Sequence, residues 1–232
     1  MTSVDDREEA TVYPLIPPSA AGGSTLGAPA GDRFVARHRT QVLGTEVSFC
    51  LSASTELPRR RISEALGAAV AELRAVDAAF SPAHRRSLVN AVRRGELAHD
   101  AYPPPLAEVV ALCARMRAAT DGWFDAWASP AGFDPHALVK GWAVDRAGLL
   151  LRAAGIDGYA IRAGADRLAY GLAPHGGPWR IGLAEPGNPL RRTGAAELTW
   201  GALAVAGGGG GPARHGLIVN PHTGAFTASC QR

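Results

Sequence analysis

Apolar positions recur at helical spacing in two stretches of the chain. In RRRISEALGAAVAELRAVDAAF, residues 59–80, Ile62, Leu66, Ala69, Val70, Leu73 and Val76 fall on one face, which predicts an amphipathic helix. After the YPPP break, PLAEVVALCARMRAAT repeats the pattern at Leu106, Val109, Val110 and Cys113, continuing to Met116 and Arg117. A third helix is predicted from its ends, in FDPHALVKGWAVDRAGLLLRAAGIDGY. The Asp134 carboxylate can cap free amides, Pro135 at the first helical position loses no needed donor, and Gly155 is a fitting stop. Between them the spacing predicts one face of Leu138, Trp142, Leu149 and Ala153. A neighbouring face of small residues holds Ala137, Gly141, Val144 and Gly148.

HRTQVLGTEVSFCLSAS sets Val42, Gly44 and Glu46 against Leu43, Thr45 and Val47 before turning apolar, which predicts an opening strand. The second half carries short strand-like runs separated by glycine: GYAIRAG, RLAYG, PWRIGLAEP, ELTW, ALAVAG and GLIVNP. Glycine-rich turns between such runs suggest hairpins. Helices and strands that segregate along the chain predict an α+β fold, with helices packed on a mainly antiparallel sheet. Residues 1–32 are rich in Pro, Gly, Ala and Ser and are expected to be a disordered leader, with residues 33–232 forming one domain. The glycine run from Gly207 to Gly211 is not a phosphate loop, because no Lys-Ser/Thr follows it.

Composition narrows the classes. A net charge of +3 over 232 residues is too small to argue for nucleic acid. Arg59-Arg60-Arg61 reads as a solvated helix start. Cys50, Cys113 and Cys230 are odd in number and far apart, suggesting neither a metal site nor a disulfide framework, so the chain fits a reducing, cytoplasmic compartment. No run of about 18 apolar residues predicts a membrane span. The acidic N-terminus lacks the basic-then-apolar order of a secretory signal. His215 and His222 lack the spacing of a metal pair on a helix. One residue stands out against the arginine-rich background: Lys140 is the chain's only lysine. Near a helix start, where backbone amides already favour anions, an ammonium adds a point charge for a phosphate.

Five segments in order carry a family resemblance. VLGTEVSF resembles an opening Met-Gly-Thr strand, ELRAVDAAFSP an Asp-x-x-Phe-Ser helix end, and DGWFD a Gly-Ala-Phe-Asp loop. LVKGWAVDRA is similar to a Lys-Gly-(Tyr/Trp)-Ala-Val-Asp helix, and NPHTG to an Asp-Pro-Arg-Thr-Gly turn. Together they resemble the FAD:protein FMN transferases, the ApbE-like family, over most of residues 40–228. The resemblance implies an enzyme that binds FAD, uses Mg2+ at the pyrophosphate and transfers FMN to a threonine of a target protein. The alternative is a module that binds flavin without turnover.

Carried over by position, the resemblance implies that Trp123, Phe124 and Asp125 lie along the flavin nucleotide and that Asp134 contacts it. Lys140 takes the FAD-contacting position, Leu43 replaces a methionine beside the ligand, and Ile218 matches an apolar residue next to the cofactor. Ala137 stands where the family offers a backbone carbonyl to magnesium. Several positions depart from the pattern. Gly-Gly-Asp reads Gly164-Ala165-Asp166, Ala-Thr-Ser-Gly reads Ala204-Val205-Ala206-Gly207, and Ala83 replaces an aromatic. His-Ile-x-Asp-Pro reads Leu217-Ile218-Val219-Asn220-Pro221, leaving His215 as the nearest catalytic histidine. The family's later Asp-Ala-x-x-Thr metal segment has no counterpart before Arg232, so the C-terminal part of the domain is expected to be missing and magnesium binding weak.

Overall fold

The computed structural model describes residues 24–26, 33–185, 188–204, 218–223 and 226–227. Strands β1 (Ser24–Leu26), β2 (Arg33–Val42) and β3 (Thr45–Ser54) open the chain and pair antiparallel in that order. Ser24–Leu26 falls inside the stretch expected to be a disordered leader, and it pairs with β2 from Ser24↔His38 to Leu26↔Ala36.

The single opening strand expected over residues 38–54 is two strands folded back on each other. Ten residue pairs run from Arg33↔Ser54 to Val42↔Thr45, and Leu43 and Gly44 form the two-residue turn. Both turn residues have positive φ, 57° and 68°, the backbone of the primed turns that match strand twist. The usual signature of such a turn is Asn-Gly or Asp-Gly. Leucine in the first position hides it, since left-handed backbone costs a residue with a bulky side chain about 1–2 kcal/mol.

Helix α1 (Arg59–Phe80) buries the six apolar residues its spacing selects, plus Ala65 and Phe80. A short helix, α2 (Leu88–Arg93), follows; Ser87 caps it by accepting the Asn90 amide at 3.3 Å. Six residues are too few to show a period, so the sequence pattern misses it. Helix α3 (Pro104–Ala119) buries Leu106, Val109 and Cys113, whereas Met116 faces solvent.

Helix α4 (His136–Ala153) forms where its ends predict it, but turned about its axis. Its core face is Val139, Ala143, Val144, Ala147, Gly148 and Leu151. Leu149 and Ala153, from the expected apolar face, are exposed, as are Ala137 and Gly141 from the expected small face. The helix carries apolar residues nearly all round, so periodicity alone cannot choose a face. The partner decides: an added Cβ at Gly148 would stand 2.7 Å from the Tyr159 hydroxyl. The C-terminus closes as a Schellman motif, with Ile156 N–H on Leu151 O at 3.0 Å and Gly155 N–H on Arg152 O at 2.9 Å. Gly155, at φ 88°, supplies the left-handed residue that motif needs.

Strands β4 (Gly158–Ala163), β5 (Asp166–Gly171) and β8 (Trp200–Leu203) complete an antiparallel six-stranded sheet in the order β1-β2-β3-β4-β5-β8. The helices cover one face of it. Phe49, Leu51 and Ile161 from the sheet meet Ile62, Leu73, Leu106 and Leu151 from the helices in one core. The hairpin β6 (Trp179–Glu185) and β7 (Asn188–Leu198) touches the other face. There Trp179 and Leu198 pack on Ala160, Ala169 and Cys50, and the Trp179 indole donates to Tyr170 O at 3.1 Å. Strands β9 (Ile218–Val219) and β10 (Phe226–Thr227) form a separate pair. The α+β expectation, helices on a mainly antiparallel sheet, describes this architecture.

Candidate functional site

Two hairpin turns stand side by side at one end of the main sheet. The β4–β5 turn, Gly164-Ala165, donates its Gly164 amide to Glu46 O at 3.2 Å. Gly164 has φ 60°, and a Cβ there would lie 3.0 Å from Thr45 Oγ1, so glycine is required by backbone and by space. Ala165 has no positive φ, and its methyl fits the turn without strain. Asp166, the first residue of β5, accepts the Lys140 ammonium at 2.7 Å. Lys140, in the second turn of α4, thus reaches the sheet end that also carries the Leu43-Gly44 turn. Both charges of the pair are largely shielded from water. Leu43 is buried despite its left-handed backbone. The structure therefore brings Leu43 and Lys140 to one end of the fold and adds Asp166.

The loop between α3 and α4 builds the second part of the site. Thr120 anchors it: its hydroxyl donates to Met116 O at 2.8 Å and accepts the Phe124 amide at 2.9 Å. Phe124 packs against the core, half-buried. Asp125 has both oxygens in use, Oδ1 accepting the Trp127 amide at 2.8 Å and Oδ2 accepting Arg117 Nε at 2.9 Å. It shapes the loop. Trp123 is 66% exposed and meets the His222 ring edge-on, centroids 4.7 Å apart. Trp127 lies against Phe133 at 4.7 Å. Between these groups opens a concave pocket of about 550 Å³, lined among others by Cys113, Arg117, Gly122, Asp125, Trp127 and His222. Burial pushes the Cys113 thiol up to about 11, and the Asp125 charge adds to the effect. That thiol is no nucleophile at neutral pH.

Asp134 ties the loop to α4. Its amide donates to Ala126 O at 2.7 Å, and its Oδ1 accepts the His136 amide at 3.2 Å. Pro135 stands at the cap itself, its carbonyl accepting the Val139 amide at 2.9 Å, one residue from the expected arrangement. Arg93 of α2 approaches Asp134 Oδ2 at 3.7 Å and donates through Nε to Phe133 O at 2.8 Å. Sequence reasoning missed Arg93, since nothing local in a six-residue helix marks an arginine as the strap on a loop 40 residues later.

Ala137 is exposed in the first turn of α4. Among the described residues no group of three or more His, Cys, Asp or Glu side chains could hold a metal ion. Asp166 is engaged by Lys140 and Asp125 by Arg117, so the described residues do not compose a magnesium site. Ile218 falls in β9, and His215 lies outside the described residues. So do Val205, Ala206, Gly207 and Leu217 among the motif departures. Ala83 is exposed, its amide donating to Ser81 Oγ at 3.3 Å.

Residues 127–228 match the family model described as ApbE family. The fold is similar to the flavin transferase ApbE from Vibrio cholerae, with a TM-score of 0.69 at 16% identity over 88% of this chain and 78% of that one. It is also similar to the ApbE protein from Thermotoga maritima, with a TM-score of 0.64 at 20% identity over 82% of this chain and 77% of that one. The flavinyl transferase ApbE of Pseudomonas stutzeri, in its apo form, gives 0.56 at 20% identity over 72% and 67%. A comparison with curated proteins found no match. The matched stretch runs from Trp127 through the Lys140 helix and the Gly164-Asp166 turn to the residues around His222; over that stretch the chain is similar to the ApbE family, and its fold is that of the ApbE flavin transferases.

Proposed function

We propose that this protein is an FAD:protein FMN transferase acting on a threonine of a flavoprotein target. The observation that carries the reading is the ammonium of Lys140, the chain's only lysine, held at the Gly164-Asp166 turn. A point charge beside helix amides suits a pyrophosphate. In the reaction the threonine Oγ attacks the FMN-side phosphorus of FAD. The P–Oγ bond forms, the anhydride P–O bond breaks, AMP leaves, and the hydroxyl proton passes to a base. Within this reading Lys140 offsets charge on the phosphate oxygens, Trp123 and Phe124 flank the nucleotide, and Asp125 and Asp134 fix the loop that carries them. Leu43 and Ile218 supply apolar contact, and His215 is the proposed base.

Magnesium, where bound, would neutralise charge on the pyrophosphate. The Ala137 carbonyl is one oxygen, and the described residues offer no set of carboxylates around it. That same observation favours, as the second reading, a module that binds flavin without turnover. Residues 33–232 are taken as one domain. Among the described residues no helix is long and apolar enough to cross a membrane, and we read the protein as cytoplasmic.

The test is incubation with FAD and a threonine-containing acceptor protein, followed by mass spectrometry. The transferase reading expects a gain of one FMN on the acceptor and stoichiometric AMP. Bound flavin with no transfer would favour the binding module, and a colourless protein that neither binds nor transfers would overturn both.

A further inference from the structure

The sheet face turned away from the helices carries an arginine row that nothing in the flavin reading uses. Register places Arg39 opposite Ser48, Ser48 opposite Arg162 and Arg162 opposite Arg167, on four adjacent strands. Residues paired this way project to the same side of a sheet. The preceding row, Arg37-Cys50-Ala160-Ala169, lies on that same side, and its Cys50, Ala160 and Ala169 meet Trp179 and Leu198. Asp166 and Leu168, one residue to either side of Arg167, face the helices. The row therefore lies across the sheet from Lys140.

Arg39 is 8% exposed, and none of its three guanidinium nitrogens has a hydrogen-bond partner among the described residues. The Nε atoms of Arg162 and Arg167 are likewise buried and unpaired. Among the described residues the carboxylate that answers this row is Glu46, and it is spent on Arg162 Nη2 at 3.1 Å. Arg167 turns its Nη1 to two carbonyls, Gly164 O and Asp166 O, at 2.7 and 2.9 Å. A guanidinium cannot shed its proton near neutral pH. Like charges set directly opposite on neighbouring strands repel, and a buried charge without a counter-charge is costly. Burial, with Arg162 next, drags the Arg167 value down to about 10, which has the same origin. The fold retains three cations in one row, with a small hydroxyl residue, Ser48, between two of them.

We propose that this face binds a compact, multiply charged oxyanion of the phosphate class, held by the fork of Arg39 and flanked by Arg162. Guanidinium donors match such an ion in geometry and charge. A guanidinium as buried as that of Arg39 is out of reach of a polymer. The site is independent of the flavin reading, because Lys140 stands on the opposite face.

The experiment is thermal melting of the full chain in sodium phosphate against sodium chloride at matched ionic strength. A ligand that binds only the folded state raises its melting temperature with concentration. The expected result is a saturable, phosphate-specific rise in wild type. Arg39→Met is expected to melt higher than wild type without phosphate and to lose the phosphate rise. Lys140→Ala is expected to keep it. Should Arg39→Met not fold, Arg162→Gln is expected to weaken phosphate binding at least tenfold. Equal effects of the two salts would overturn the proposal, as would a phosphate rise that survives both arginine variants. A rise abolished by Lys140→Ala would assign the phosphate to the flavin site and overturn it too.

Discussion

The Nζ of Lys140 stands 2.7 Å from Oδ2 of Asp166, joining the second turn of α4 to the β4–β5 turn. The pair fixes where the ammonium can act. Lys140→Ala is expected to weaken FAD binding by about 1–3 kcal/mol, the range for a hydrogen bond to a charged group. Folding stability is expected to change by about 1 kcal/mol, since each side chain of the pair keeps about a quarter of its surface in water. Titration calorimetry with FAD, alongside circular dichroism, checks both. An unchanged affinity in a folded variant would remove Lys140 from the site.

Asp134, one residue before the Pro135 cap, accepts the first helical amide of α4 and straps the loop to it. Asp134→Ala is expected to cost about 0.5–2 kcal/mol through the lost acceptor for the His136 amide, and also to weaken nucleotide binding as the loop from Phe124 loosens. Asp134→Asn keeps the acceptor and removes the charge facing Arg93, so it should restore most of the stability. Chemical denaturation and FAD titration on both variants separate the roles: a stability loss with intact binding would leave Asp134 a cap alone.

Gly148 tests why α4 is turned as it is. In an isolated helix Gly→Ala stabilises by about 1 kcal/mol. Here the new methyl would meet the Tyr159 hydroxyl at 2.7 Å and Leu168 Cδ2 at 3.1 Å, and overpacking of this kind costs about 1–3 kcal/mol. Gly148→Ala is therefore expected to destabilise. A higher melting temperature would mean that the helix can slide without penalty.

What the sequence could and could not say follows from where the information sits. The α1 face was legible because its partners require only an apolar stripe, and Ile62 through Val76 supply one. The α4 face was not, because Tyr159 and Leu168 choose it from across the core. The Leu43-Gly44 turn was hidden because its left-handed leucine is held by tertiary packing, not by local preference. In the site, Lys140 was legible by its rarity and by the motif around it. Its partner Asp166 is 26 residues away in sequence, and only the close approach of two hairpin turns joins them.

Cys113 gives the fold a dependence on alkaline pH. Its thiol is raised from 9.0 to about 11 in the folded state. The folded state thus keeps its proton when the unfolded chain has begun to lose it. Stability from the neutral thiol is complete below about pH 9 and falls as pH rises toward 11. Between pH 8 and 10 the loss is expected to be about 1 kcal/mol. Tyr159, pushed up to about 12 from 10.0, adds its own loss only above that interval. Urea unfolding at the two pH values, in wild type and Cys113→Ala, reads the difference; parallel losses in both would show that the thiol does not titrate as its burial demands.

Trp123 offers the most direct optical test of where the nucleotide lies. Its ring is mostly in water and meets, edge to face, the ring of His222, which lines the pocket, so removing it uncovers little core. Trp123→Ala is expected to change folding stability by no more than about 0.5 kcal/mol, as for exposed positions generally. A base or ring system stacked on an aromatic side chain contributes about 1–3 kcal/mol by alanine substitution, so the variant should bind FAD correspondingly less tightly. Flavin absorbs where tryptophan emits, so a nucleotide beside Trp123 should quench it strongly. With five tryptophans in the chain, wild type is expected to lose a large part of its emission on FAD addition, and Trp123→Ala a smaller part of what remains. Trp127, which lines the same pocket and lies tilted against Phe133, supplies the control. If Trp123→Ala matches wild type in affinity and quenching while Trp127→Ala does not, the nucleotide lies deeper in the pocket, along the Asp125-Phe133 side of the loop, and the role given to Trp123 passes to Trp127.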